Sequence, residues 1–249
     1  MIINSAAELA GMVEICRIVA VVLREMGKSI KPGVTTKELD EIGRVTLMAY
    51  GAYSAPISCY NFPGHTCISV NEEVAHGIPG PRIIKPGDRV NIDVSAVKNG
   101  FYGDTAATFA VPPVKNSTQK LLDCAYRALM KAIDAAVAGR LISGLGLAVE
   151  KEAHKHGYVT IRNLCGHGVG ATLHDDPDNI NNYYEKRDRR ILQKNAALAI
   201  EPFISVKEQY VEEMPDGWTL KTPHNSEVAQ FEHTVMVTEG KPMILTLPV

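Results

Sequence analysis

The chain has 249 residues, 45% hydrophobic and 22% charged, with a formal net charge of −2. That length suits one large core or two modest domains, and the balance excludes a disordered chain or a nucleic-acid binder relying on overall positive charge. No apolar run reaches the roughly 18 residues of a membrane span. The start of the chain carries Glu8 and Glu14 where a signal peptide would be basic. Five scattered cysteines (Cys16, Cys59, Cys67, Cys124 and Cys165), without a CxxC pair, read as reduced thiols of a cytoplasmic protein.

Ser5-x-x-Glu8 is a capping box, and Ile15, Val19, Val22, Leu23 and Met26 follow helical spacing, which predicts a helix over 5–29. A Pro32-Gly33 break, a second capping box at Thr35-x-x-Glu38 and a closing Gly51 predict another. Residues 91–106, NIDVSAVKNGFYGDTA, read as a hairpin about Lys98-Asn99-Gly100. A four-residue loop, Val97 to Gly100, would set Asp93 directly opposite Asp104. A two-residue Asn99-Gly100 loop would make them diagonal neighbours on one face. Directly opposite carboxylates stand about 5 Å apart at Cβ and repel, so a divalent metal is the natural partner.

The plan then repeats. A helix beginning near Ser117 carries Leu121, Ala125, Leu129 and Ile133 and is expected to run to Gly139; a further helix ends at Gly157. The spacing from Gly139 to Gly157 equals that from Gly33 to Gly51. KPGDRVNIDV (85–94) and QKNAALAIEP (193–202) share a turn residue, Gly87 or Asn195, followed by a buried strand ending in a carboxylate, so Asp93 and Glu201 occupy equivalent positions. The echo predicts one α+β domain over 1–249 with an antiparallel sheet, in two halves of roughly 1–110 and 111–249.

Further titratable groups sit in strand or glycine-rich contexts. His76 lies in VNEEVAHGIPG, His167 and His174 in CGHGVGATLHDDP, Glu201 before Pro202, and Glu232 inside the strand VAQFEHTVMVT. Any one such imidazole is more often a hydrogen-bonded structural group. Together they weigh differently, because burying unpaired charges costs several kcal/mol each.

The set HGIP, NIDV…GDT, GHGVG…LHDDP, AIEP and FEHT, in this order and spacing, resembles the type I methionine aminopeptidases of the pita-bread fold over essentially the whole chain. That resemblance implies a pseudo-twofold pair of α/β halves about a central curved antiparallel sheet. It implies metal ligands Asp93, Asp104, His167, Glu201 and Glu232, substrate-side histidines His76 and His174, and a methionine pocket of Cys59, Phe62, Cys67, Leu173 and Trp218. Two divalent ions (Co, Mn, Fe(II) or Zn) would balance four ionised carboxylates in an oxygen-rich site. A hydroxide bridging ions about 3.5–4 Å apart would attack the scissile carbonyl. Glu201 would carry the proton to the leaving amine, His174 would meet the oxyanion, and His76 the intermediate or leaving nitrogen.

The implied substrates are peptides with a free N-terminal Met and a small second residue, cleaved by a cytoplasmic monomer without nucleic-acid or membrane partners. The polar stretch 175–192 reads as a solvated surface loop, with ribosome contact as the sharper alternative. Short spans from His174 to Glu201 and from Glu201 to Glu232 leave no room for the helical insertion of type II enzymes. Three departures stand out. Leu173 sits where an aromatic residue is frequent, Asp175 replaces the usual Glu, and Asn195 and Ala197 replace Gly and a larger apolar residue. A pita-bread peptidase cleaving X-Pro bonds, and a metal-free binding module on the same fold, are the competing readings.

Overall fold

The structure, a computed structural model, describes residues 1–247. The far edge of the expected domain, 249, therefore lies outside the described residues. Helix α1 (Ala6–Ser29) opens on both halves of the Ser5/Glu8 capping box and buries Met12, Ile15, Val19, Val22 and Met26. Helix α2 (Thr36–Ala49) opens in the same way on Thr35 and Glu38. A short helix, α3 (Ala55–Tyr60), is capped by Ser54, carries Pro56 in its first turn and stops at Asn61, φ 57°. Helix α4 (Asn116–Ala135) ends before Gly139 rather than running to it, because the chain turns there to pair Val137 with Thr238. Helix α5 (Ser143–Lys155) follows. Gly33, Gly51, Gly139 and Gly157 all take positive φ, between 65° and 94°, so the repeated spacing marks equivalent helix stops.

The hairpin of Arg89–Lys98 with Phe101–Ala110 turns through Asn99 (φ 52°) and Gly100 (φ 82°), the two-residue alternative. In this register Asp93 faces Ala106 and Asp104 faces Ser95, which leaves the two aspartates diagonal on one face. Along Arg89–Lys98 the side chains alternate. Val90, Ile92 and Val94 enter the core beneath α1 and α2, while Asn91, Asp93 and Ser95 point the other way.

All named strands pair antiparallel. The first half carries a four-stranded sheet in which 53–54, 89–98 and 67–70 are adjacent and 101–110 flanks 89–98. The second half carries a five-stranded sheet, 243–244, 233–236, 197–200, 165–168 and 175–181, beneath α4 and α5. Two three-stranded sheets complete the curved surface.

Where the halves meet, threonine hydroxyls extend the ladder. Ala107 bridges Phe231, and the amide of Glu232 donates to Ala106 O at 2.9 Å. Thr105 Oγ1 donates to Glu232 O (2.9 Å) and Thr108 Oγ1 to Gln230 O (2.7 Å). Thr234 Oγ1 donates to Asp104 O (2.7 Å) and accepts from the Asp104 amide (3.1 Å). This seam sets Asp104 beside Glu232.

Candidate active site

All five expected ligand residues and both expected histidines line one cavity of about 310 Å³. Asp93 and Asp104 reach it from the hairpin, and Glu201 from just beyond the strand Ala197–Ile200. Glu232 reaches it from the break between Val228–Gln230 and His233–Met236. His167 comes from Cys165–Gly168, where glycines on either side let neighbouring strands close in. A Cβ at Gly166 would meet Ala199 O at 2.4 Å, and one at Gly168 would meet Asp176 O at 2.2 Å.

Asp104, His167 and Glu232 each offer a ligand atom, and the three atoms lie within 4.8 Å of one another. His167 Nδ1 faces the carbonyl of Gly168 at 2.8 Å; a carbonyl only accepts, so the ring proton sits on Nδ1. Nε2 thereby presents a lone pair toward Glu201 Oε1 at 3.6 Å and Asp104 Oδ2 at 3.8 Å. These separations exceed a hydrogen bond and suit atoms that share a cation. Burial, helped by His174, drives the His167 pKa down to about 4, keeping the ring neutral.

The carboxylates show the same lack of a partner. Among the described residues, the buried side-chain polar atoms without a hydrogen bond are Asp104 Oδ1 and both oxygens of Glu232. Burial pushes Asp93 up to about 7. Burial, and then the charges of Glu232 and Asp93, hold Asp104 well above the usual carboxylate range. Burial, and then Asp93 and Asp104, do the same to Glu201; burial, and then Glu201 and Asp93, to Glu232. Four such groups ionise together only around positive charge, and carboxylates with one imidazole form a donor set suited to hard or borderline divalent ions.

One side of the cavity wall is apolar. Phe62 and Trp218 meet edge-on with ring centroids 5.2 Å apart, and Leu173 is 4% exposed. Cys67 pairs directly with Asp93 across neighbouring strands, and burial holds its thiol well above the ordinary range. Cys59 does not fulfil its expected place: it is exposed and does not line the cavity. In the last turn of α3 adjacent residues point about 100° apart, and Tyr60, which sequence reasoning missed, lines the wall instead.

Pro56 and Ser95 also line the cavity without having been anticipated. Ser95 was legible in principle, as the same-face neighbour of Asp93. His76 has φ 52°, a left-handed conformation uncommon outside glycine, on leaving the strand Glu73–Ala75. The rings of His167 and His174 stand 4.3 Å apart, and Tyr60 Oη meets His174 Nδ1 at 2.5 Å. No described helix is long and apolar enough to cross a membrane.

Comparison with known proteins agrees with this geometry. The model of metallopeptidase family M24 matches residues 10–239. Methionine aminopeptidase 2 of Bacillus subtilis is 47% identical over 247 residues, covering 99% of both chains. The structure of methionine aminopeptidase from Thermotoga maritima superposes with a TM-score of 0.95 at 36% identity, covering 99% of each chain. Prolidase from Pyrococcus furiosus shares the fold alone, with a TM-score of 0.80, 22% identity, and all of this chain against 66% of that one. A pita-bread scaffold with these motifs in register places the chain in metallopeptidase family M24, on its methionine aminopeptidase branch.

Proposed function

We propose that the chain is a dinuclear metal-dependent methionyl aminopeptidase, one catalytic domain acting on peptides with a free N-terminal methionine and a small second residue. Asp93, Asp104, His167, Glu201 and Glu232 would hold two divalent ions. The observation carrying this reading is the pair of unpartnered, buried oxygens of Glu232 beside an Nε2 lone pair of His167. An uncompensated buried charge costs several kcal/mol, and two divalent ions offset four carboxylates. When bound, the ions lower the pKa of a shared water and polarise a peptide carbonyl.

The remaining work falls to the chain. Glu201, with one oxygen held by Gln230 Nε2 at 3.0 Å, carries the proton from the attacking water to the leaving amine. His174 donates to the developing oxyanion, and His76 steadies the leaving nitrogen. Phe62, Cys67, Leu173 and Trp218 form a wall that accepts an unbranched thioether; ring edges such as those of Phe62 and Trp218 attract sulfur. The five free cysteines suit a reducing cytoplasm.

Reconstitution of chelated protein with Mn, Co, Fe(II) or Zn, assayed on Met-Ala-Ser, tests the proposal. Metal should restore cleavage, and Glu201→Gln should lower kcat by about 100-fold or more. A protein that retains no divalent ion and cleaves nothing would instead be a binding module. Preference for an X-Pro peptide would move it to the other peptidase class.

A further inference from the structure

Tyr60 occupies the last residue of α3, and left-handed Asn61 behind it turns the chain away. Its hydroxyl meets His174 Nδ1 at 2.5 Å, with the two ring centroids 5.5 Å apart. The carbonyl of His174 is held separately by Thr172 Oγ1 at 2.8 Å, so backbone and ring are each tied. A phenol donates more readily than it accepts, and a neutral imidazole nitrogen is the stronger acceptor. The contact therefore runs O–H to Nδ1, which puts the ring proton of His174 on Nε2, the one polar atom left for the cavity that both residues line.

We propose that Tyr60 is a positioning residue for the reaction: its hydroxyl locks His174 in the Nε2–H tautomer and so makes it a hydrogen-bond donor to the substrate carbonyl oxygen. Without that hydroxyl, His174 divides between two tautomers, and one of them presents a lone pair where the oxyanion forms. The inference rests on the aminopeptidase reading for its catalytic half and on geometry alone for its tautomeric half. Tyr60 is 44% exposed, so loss of its hydroxyl leaves the core intact.

The test combines kinetics with spectroscopy on the full chain. Wild type, Tyr60→Phe, His174→Ala and the double variant are assayed on Met-Ala-Ser after metal loading. Nitrogen-15 histidine spectra of wild type and Tyr60→Phe are recorded with a diamagnetic divalent ion bound. Wild-type His174 should carry its proton on Nε2, and Tyr60→Phe should show mixed tautomers. The same variant should lower kcat about 10- to 100-fold with KM little changed, and should cost nothing more in the His174→Ala background. A proton on Nδ1 in wild type, an unchanged kcat in Tyr60→Phe, or an equal loss in both backgrounds overturns the proposal. A wild-type protein without turnover removes the aminopeptidase reading and the catalytic half with it, and the spectra still decide the tautomer.

Discussion

Gln230 donates from Nε2 to Glu201 Oε2 at 3.0 Å while its own Oε1 is held at 2.8 Å by Nδ2 of Asn91. Asn91 also donates to Thr108 Oγ1 at 3.2 Å, so the Gln230 amide cannot flip without leaving groups unpaired. The arrangement turns Glu201 Oε1 toward His167. Gln230→Leu is expected to lower kcat about 10- to 100-fold with little change in KM, measured on Met-Ala-Ser. Wild-type kcat in that variant would mean that Glu201 needs no such guide.

The crowded carboxylates predict how chelated protein responds to pH. Unfolded, they titrate at about 4; folded, burial raises them, Asp93 to about 7 and its neighbours in the same direction. Between those values the folded state keeps protons that the unfolded state has released, so stability falls as pH rises. Thermal unfolding of the chelated protein should therefore show Tm declining from pH 5 to pH 7.5. Added divalent metal should restore Tm most at the upper end, because binding displaces those protons. A flat chelated profile would contradict the raised values.

Replacing a proposed ligand should separate stability from activity. Both oxygens of Glu232 are buried without partners, at 2% residue exposure. Glu232→Met removes that strain and is expected to stabilise the chelated protein by about 1–4 kcal/mol in urea unfolding at pH 7.5. The same variant should lose metal by direct titration. Destabilisation of the chelated form would show that Glu232 has another partner.

The pocket wall invites a specificity change. Leu173 is buried beside His174 and lines the cavity with it. Leu173→Ala should reduce discrimination between Met and bulkier N-terminal residues by about 10-fold or more in kcat/KM, with a loss of about 2–5 kcal/mol in stability. Unaltered discrimination would place selectivity on Phe62 and Trp218.

Much of the site was legible because charge in a strand is conspicuous. Asp93, Asp104 and Glu232 lie within strand runs, Glu201 ends one and His167 sits in a glycine-rich stretch; the family resemblance joined them into one set, and all five reach one cavity. Hairpin parity left two registers open, and only the positive φ of both Asn99 and Gly100 selects the diagonal one. Helix α3 spans six residues, too few to leave a periodic signature, so Tyr60 was hidden, and Cys59, which the resemblance had put at the pocket, is exposed. Gln230 and Asn91 carry no charge, and nothing in the local pattern announces a hydrogen bond between residues 139 positions apart.

The threonine seam runs along a shared core, in which Val169, Ala197, Ala199 and Met236 pack with Ile15, Val90, Ile92 and Val94. Asp93 and Asp104 belong to one half and His167, Glu201 and Glu232 to the other, with the hydroxyls of Thr105, Thr108 and Thr234 stitching the edges. Divalent metal held by these residues would be gripped from both sides and would tie the two edges to each other directly. Neither half made alone would assemble a complete cage.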